Sequence, residues 1–111
     1  MKRVEAVIST EKLSAVVEAL KKIGVGGITV FDAKGWGRAS HVIQSTKSDD
    51  KGAFTTKSYL LTVVDDSMVD RIVSTILDTA STGSVGDGKI FVDTIDTAVD
   101  IGSRQKGIHA I

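Results

Sequence analysis

Cysteine and proline are both absent from this chain of 111 residues. Without cysteine there are no disulfides, thiolate metal ligands or thiol nucleophiles. Average proline usage of about 5% would supply several; with none, tight turns must rest on the 11 glycines. Net charge is missing too, since 14 basic residues balance 14 acidic ones. No overall field therefore favours nucleic acid or an anionic membrane as partner. No apolar run approaches the roughly 18 residues of a membrane span, and Met1-Lys2-Arg3-Val4-Glu5 does not open a signal peptide. These absences predict a cytoplasmic protein with no direct membrane insertion. What is present, 41% apolar and 25% charged residues, suits one soluble domain over residues 1–111 with a modest core.

Hydrophobic periodicity orders the chain. Residues 2–9 alternate, with Val4, Ala6 and Ile8 on one face and Arg3, Glu5 and Ser9 on the other, as in a strand. From Glu11, Leu13, Val16, Val17, Leu20 and Ile23 recur at helical spacing. Glu18 and Lys22 form an i,i+4 pair, and Gly24 supplies the stop. Ile28–Phe31 reads as a second strand running towards Gly35. Residues 39–55 carry little periodicity, which in a small domain points to a functional loop. Residues 56–64 resume a strand. Ser67 with Asp70 resembles a capping box for a helix with an apolar stripe from Met68 to Ala80, and Lys89–Asp93 forms the last strand. The order β-α-β-β-α-β predicts an α+β, ferredoxin-like fold. Two helices would cover one face of a four-stranded antiparallel sheet, with a long loop between strands 2 and 3. The strands are apolar on both faces, so the uncovered face predicts self-association.

The segment Thr82-Gly83-Ser84-Val85-Gly86-Asp87-Gly88-Lys89-Ile90-Phe91-Val92 is the most informative. Glycines free backbone N–H groups and Lys89 adds a cation, as an anion such as phosphate requires. The same letters also suit a plain hairpin turn. Asp65-Asp66 favours a helix N-terminus rather than a catalytic dyad. His41 lies near Asp49 and Asp50, but a lone loop histidine is more often solvated than a metal ligand.

With Ala33-Lys34-Gly35-Trp36-Gly37-Arg38, the opening Met1–Ile8, Glu18-Ala19-Leu20 and the Val63-Val64 … Val69-Asp70 stretch, this segment resembles the PII signal-transduction family. The likeness spans roughly residues 1–100. It implies a homotrimer, not an enzyme, that needs no cofactor and binds adenine nucleotides as effectors in clefts between subunits. It further implies reporting of energy and nitrogen or carbon status through a long T-loop, here 39–55. That loop would dock on a target protein such as a membrane transporter or metabolic enzyme. By the resemblance, Gly86, Asp87, Gly88 and Lys89 fall on the phosphate-holding loop. Gly35, Trp36, Gly37 and Arg38 fall on the T-loop stem, Trp36 there being either a packing anchor or a ligand stacker. Val7, Gly27, Thr29 and Val63 match positions lining the adenine and ribose pocket, partly from different chains.

The departures from the family pattern matter as much. Asp100 and Gly102 stand where family members carry two phosphate-gripping arginines, which predicts ADP or AMP preferred over ATP, or weak binding of all three. Arg104 and Lys106 are the candidate substitutes. Ala39 replaces the glutamine of 2-oxoglutarate sensors, while Lys57 is retained; the 2-oxoglutarate response is expected to be lost. Leu61 replaces an acidic residue that helps read adenine. The loop has no tyrosine for uridylylation, Tyr59 lying on a strand, and no modification motif surrounds Ser45 or Ser48. Two alternatives stay open: a sensor of another ligand (a different nucleotide, bicarbonate or a metal ion), and a small enzyme, for which no titratable pair is visible.

Overall fold

The computed structural model describes residues 1–37 and 54–111. Strand β1 (Lys2–Ser9) leads through a 3-10 turn (Thr10–Lys12) into helix α1 (Leu13–Lys22). Strands β2 (Thr29–Gly35) and β3 (Thr55–Val64) follow, then a 3-10 turn (Asp66–Met68), helix α2 (Val69–Ala80) and strand β4 (Gly88–Thr94). A last 3-10 turn spans Gly107–Ala110. The sheet order is β2-β3-β1-β4, with every neighbouring pair antiparallel. This is the expected ferredoxin-like architecture. The loop stretch 38–53, with Arg38, Ala39, His41, Ser45 and Ser48, lies outside the described residues.

Alternation explains which face is covered. Val4, Ala6 and Ile8 of β1 and Leu60 and Val64 of β3 are buried beneath Val16 and Leu20 of α1 and Ile72 and Ile76 of α2. A buried aliphatic side chain of this kind stabilises by roughly 1.5–3 kcal/mol. Ser58 and Thr62 also point inward from β3 and are satisfied there. The Ser58 hydroxyl donates to Thr10 Oγ1 at 3.2 Å, and the Thr62 hydroxyl donates to the Gly27 carbonyl at 2.6 Å.

The opposite face carries Val7, Tyr59, Leu61, Val63, Phe31 and Phe91, as the strand registers require. No helix among the described residues packs there. Phe31 and Tyr59 stack with centroids 4.7 Å apart, yet Phe31 and Phe91 remain 48% and 51% exposed. The apolar open face expected from the sequence is therefore present in the isolated chain.

Three local readings change. Helix α2 begins at Val69, one residue after the start that a Ser67 cap would give. The Asp65 carboxylate accepts from the Ser67 N–H at 3.1 Å and from its hydroxyl at 2.5 Å, so Ser67 is engaged inside a 3-10 turn and cannot cap with Asp70. On α1, Glu18 pairs with Lys21 at 3.5 Å, at i,i+3, rather than with Lys22. The second strand runs on to Gly35 because Asp32 and Lys34 alternate along a ladder with β3 that local hydropathy does not reveal.

Candidate ligand site

The glycine-rich segment enters β4 through a turn held by one carboxylate. Asp87 accepts from the Thr82 N–H at 2.7 Å, the Thr82 hydroxyl at 2.6 Å and the Ser84 N–H at 3.2 Å. The hydrogen bond from the Thr82 hydroxyl, followed by that from the Thr82 N–H, holds the Asp87 carboxyl below the usual carboxylate range. Asp87 is thus a clamp for the loop, its carboxylate turned towards Thr82 and Ser84. Gly86 and Gly88 both adopt positive φ, 99° and 121°. A Cβ on Gly88 would stand 1.8 Å from the Val7 carbonyl oxygen, so the backbone of β4 approaches β1 in a way only glycine permits.

Beside this turn lies a cavity of about 240 Å³ lined by Val7, Gly35, Trp36, Gly37, Thr55, Lys57, Val85, Gly86, Gly88 and Lys89. Lys57 and Lys89 bring two cations to it. The Lys57 ammonium donates to the Gly86 carbonyl at 2.5 Å and so ties β3 to the glycine turn. The Thr55 hydroxyl donates to the Gly35 carbonyl at 3.1 Å, fixing the end of β2. Two lysines beside two glycine-rich segments form a setting that attracts an anion.

The remaining sequence-predicted residues gather elsewhere. Gly27, Thr29 and Val63 line a second cavity of about 500 Å³ with Gly26, Leu61, Thr62, Ala98, Ala110 and Ile111. The bond from Thr62 to the Gly27 carbonyl joins two of its lining residues. Lys57 at the first cavity and Val63 at the second are separated by about 20 Å along β3, at ~3.3 Å per residue. One chain therefore presents two separate cavities, one lined by two lysines and one by uncharged residues. Thr55, Val85, Ala98, Ala110 and Ile111 were not legible as site residues. Thr55, directly before the strand pattern, carried a faint signal, and the C-terminal residues carried none.

Asp100 sits in a tail turn, its carboxylate accepting from the Ser103 N–H at 2.8 Å and the Ser103 hydroxyl at 2.7 Å. Lys106 bridges to Val99, and Arg104 occupies the left-handed region at φ 64°.

A sequence profile described as nitrogen regulatory protein P-II matches residues 1–105. The chain belongs to the P-II family. It is 41% identical over 112 aligned positions to the nitrogen regulatory protein P-II of Azospirillum brasilense, and equally so to that of Rhodospirillum rubrum, each alignment covering all of both chains. Among solved structures it is similar to Arabidopsis thaliana PII bound to citrate, with TM-score 0.82 and 30% identity over 99% of this chain and 91% of that one. P-II proteins are signalling regulators, and the P-II assignment accounts for the glycine turn and the βαββαβ order together. Among the described residues no helix is long and apolar enough to cross a membrane.

Proposed function

We propose that this P-II protein is a cytoplasmic homotrimeric regulator, not an enzyme, that binds an adenine nucleotide in clefts between subunits and relays the bound state to a target protein through residues 39–55. The target is a membrane transporter or a metabolic enzyme. The observation that carries this reading is the pairing of two dissimilar half-sites. The cavity with Lys57, Lys89 and the glycine backbones suits phosphate, and the uncharged cavity at Gly27, Thr29 and Val63 suits a nucleoside. They lie too far apart on one chain to share a nucleotide, whereas neighbouring chains packed through their apolar sheet faces can bring one of each together. Asp100 and Gly102 withhold two cations from the phosphates. Each missing charge-assisted contact is worth roughly 1.5–3 kcal/mol, so ADP or AMP is favoured over ATP.

Titration calorimetry with ADP, AMP and ATP tests this. ADP or AMP should bind at least as tightly as ATP, and Lys89→Ala should weaken binding by about tenfold or more. Undiminished binding by Lys89→Ala removes the phosphate reading. Magnesium-dependent 2-oxoglutarate binding in the presence of ATP should be absent; finding it overturns the predicted loss of that response.

A second reading, a small carboxylate or bicarbonate anion in the Lys57–Lys89 cavity, is favoured by one observation: the Arabidopsis relative is bound to citrate. Competition between citrate and ADP in the same titrations separates the two.

A further inference from the structure

The open face of the sheet carries charge at both ends. Lys57 and Lys89 mark the end at the anion cavity, and Arg3, Glu5 and Asp93 mark the other. Strand register sets this second group among apolar side chains: Arg3 lies opposite Val63 and Asp93, and Glu5 opposite Leu61 and Phe91. The Arg3 Nε donates to Asp93 Oδ1 at 3.2 Å and lies 2.7 Å from Glu5 Oε1. Its Nη2 donates to Asp93 Oδ2 at 2.6 Å. One guanidinium thus serves two carboxylates, with its fork turned to Asp93.

Other cations nearby are engaged or distant. Lys2 donates to the Thr94 hydroxyl at 2.7 Å, and Lys57 is held by the Gly86 carbonyl. Lys89 stands opposite Val7, four residues along β1 from Arg3, or about 13 Å at ~3.3 Å per residue. In a single chain the network is worth little, because the Arg3 and Asp93 side chains are 40% and 51% exposed and water screens them. Its surroundings give it a second setting. Leu61 and Val63, the register partners of Glu5 and Arg3, also line the cavity that the nucleotide reading sets against a neighbouring chain. A second copy of this chain seated on the face carries the three charges out of water together with those side chains. There two carboxylates share one cation, and removing it strands both.

We propose that Arg3 is the counterion on which self-association through the open face depends, holding Glu5 and Asp93 so that a second copy of this chain can cover them. The inference rests on the homotrimer reading above and deepens it by naming the residue that admits the neighbour. The apolar side chains of the face supply attraction without direction. The charged group adds a condition: a neighbour can cover this end only while both carboxylates stay paired.

The experiment follows assembly by light scattering over a dilution series, with a fixed sub-denaturing urea concentration if wild type does not dissociate by dilution alone. At neutral pH the half-dissociation concentration of Arg3→Met should rise about tenfold or more over wild type. Circular dichroism should show the variant still folded, since the exposed network adds little to a single chain. As pH falls from about 8 towards 5, Arg3→Met should regain assembly, because carboxylates gathered out of water take up protons more readily. Wild type should change far less over that range. Adding Glu5→Gln and Asp93→Asn to Arg3→Met should restore assembly at neutral pH. Arg3→Met that assembles as wild type does overturns the inference. Weakened assembly that neither lower pH nor the triple variant restores overturns it too, in favour of a packing role for Arg3. Unfolding of both Arg3→Met and the triple variant overturns it in favour of a role in the single chain. Wild type that stays a single chain at every concentration overturns the homotrimer reading, and this inference with it.

Discussion

Gly88 stands so close to Val7 that a β-carbon on it would fall 1.8 Å from the Val7 carbonyl oxygen. The neighbouring atom is backbone in the sheet centre, so no side chain can swing aside to make room. Replacing Gly88 therefore forces β4 away from β1 just where the glycine turn meets the cationic cavity. Gly88→Ala should lose ~3 kcal/mol or more of stability, from a disfavoured backbone conformation together with overpacking. Urea unfolding reads this as a lower midpoint at unchanged slope. A midpoint equal to wild type would show that the close approach is not real.

Lys57 ties β3 to the glycine turn through the Gly86 carbonyl. Lys57→Met keeps the stem of the side chain and removes the donor. The bond is partly buried, so the expected loss is about 1.5 kcal/mol, the lower end of the range for charged hydrogen bonds. Amide exchange over residues 83–88 should quicken while the β1–β3 ladder stays protected. Uniform quickening across the sheet would instead point to a core role for Lys57.

Thr62 reaches from the sheet's covered face to the Gly27 carbonyl at 2.6 Å. Thr62→Val preserves shape and deletes this bond, leaving the carbonyl to find another donor. A loss of about 1–2 kcal/mol is expected. Thr62→Ser, which retains the hydroxyl, should recover most of it; equal loss in both variants would mean that packing, not the hydrogen bond, is what matters.

Three carboxylates set the acid limit. Asp65, Asp87 and Asp100 all have pKa values lowered by hydrogen bonds, chiefly from the Ser67 hydroxyl, the Thr82 hydroxyl and the Ser103 N–H respectively. A group whose folded pKa is depressed contributes stability above its unfolded value, about 3.9 for Asp. That contribution is lost as pH falls from there through the folded pKa. Stability should hold from neutral pH to roughly pH 5 and then decline. Asp87→Asn should flatten part of that decline; an acid limb identical to wild type would remove Asp87 from the account.

Much of the fold was legible because burial on one face imposes a period. Val4, Ala6 and Ile8 announced β1, and the stripe from Met68 to Ala80 announced α2. Hydrogen-bond competition at element ends was less visible. Asp65 captured Ser67 before it could cap with Asp70, since a carboxylate two residues away is a stronger acceptor than the pattern accounted for.

The sequence by itself determined the strand and helix order, the glycine turn and the presence of Lys57 and Lys89, because each follows from neighbours along the chain. Only the tertiary structure decided that the site residues divide into two groups along β3. It also turned the Asp87 carboxylate into a clamp and seated Ala110 and Ile111 beside Gly27. These relationships depend on sheet register and on the tail's reversal, which join residues far apart in the chain, and local periodicity carries no record of such meetings.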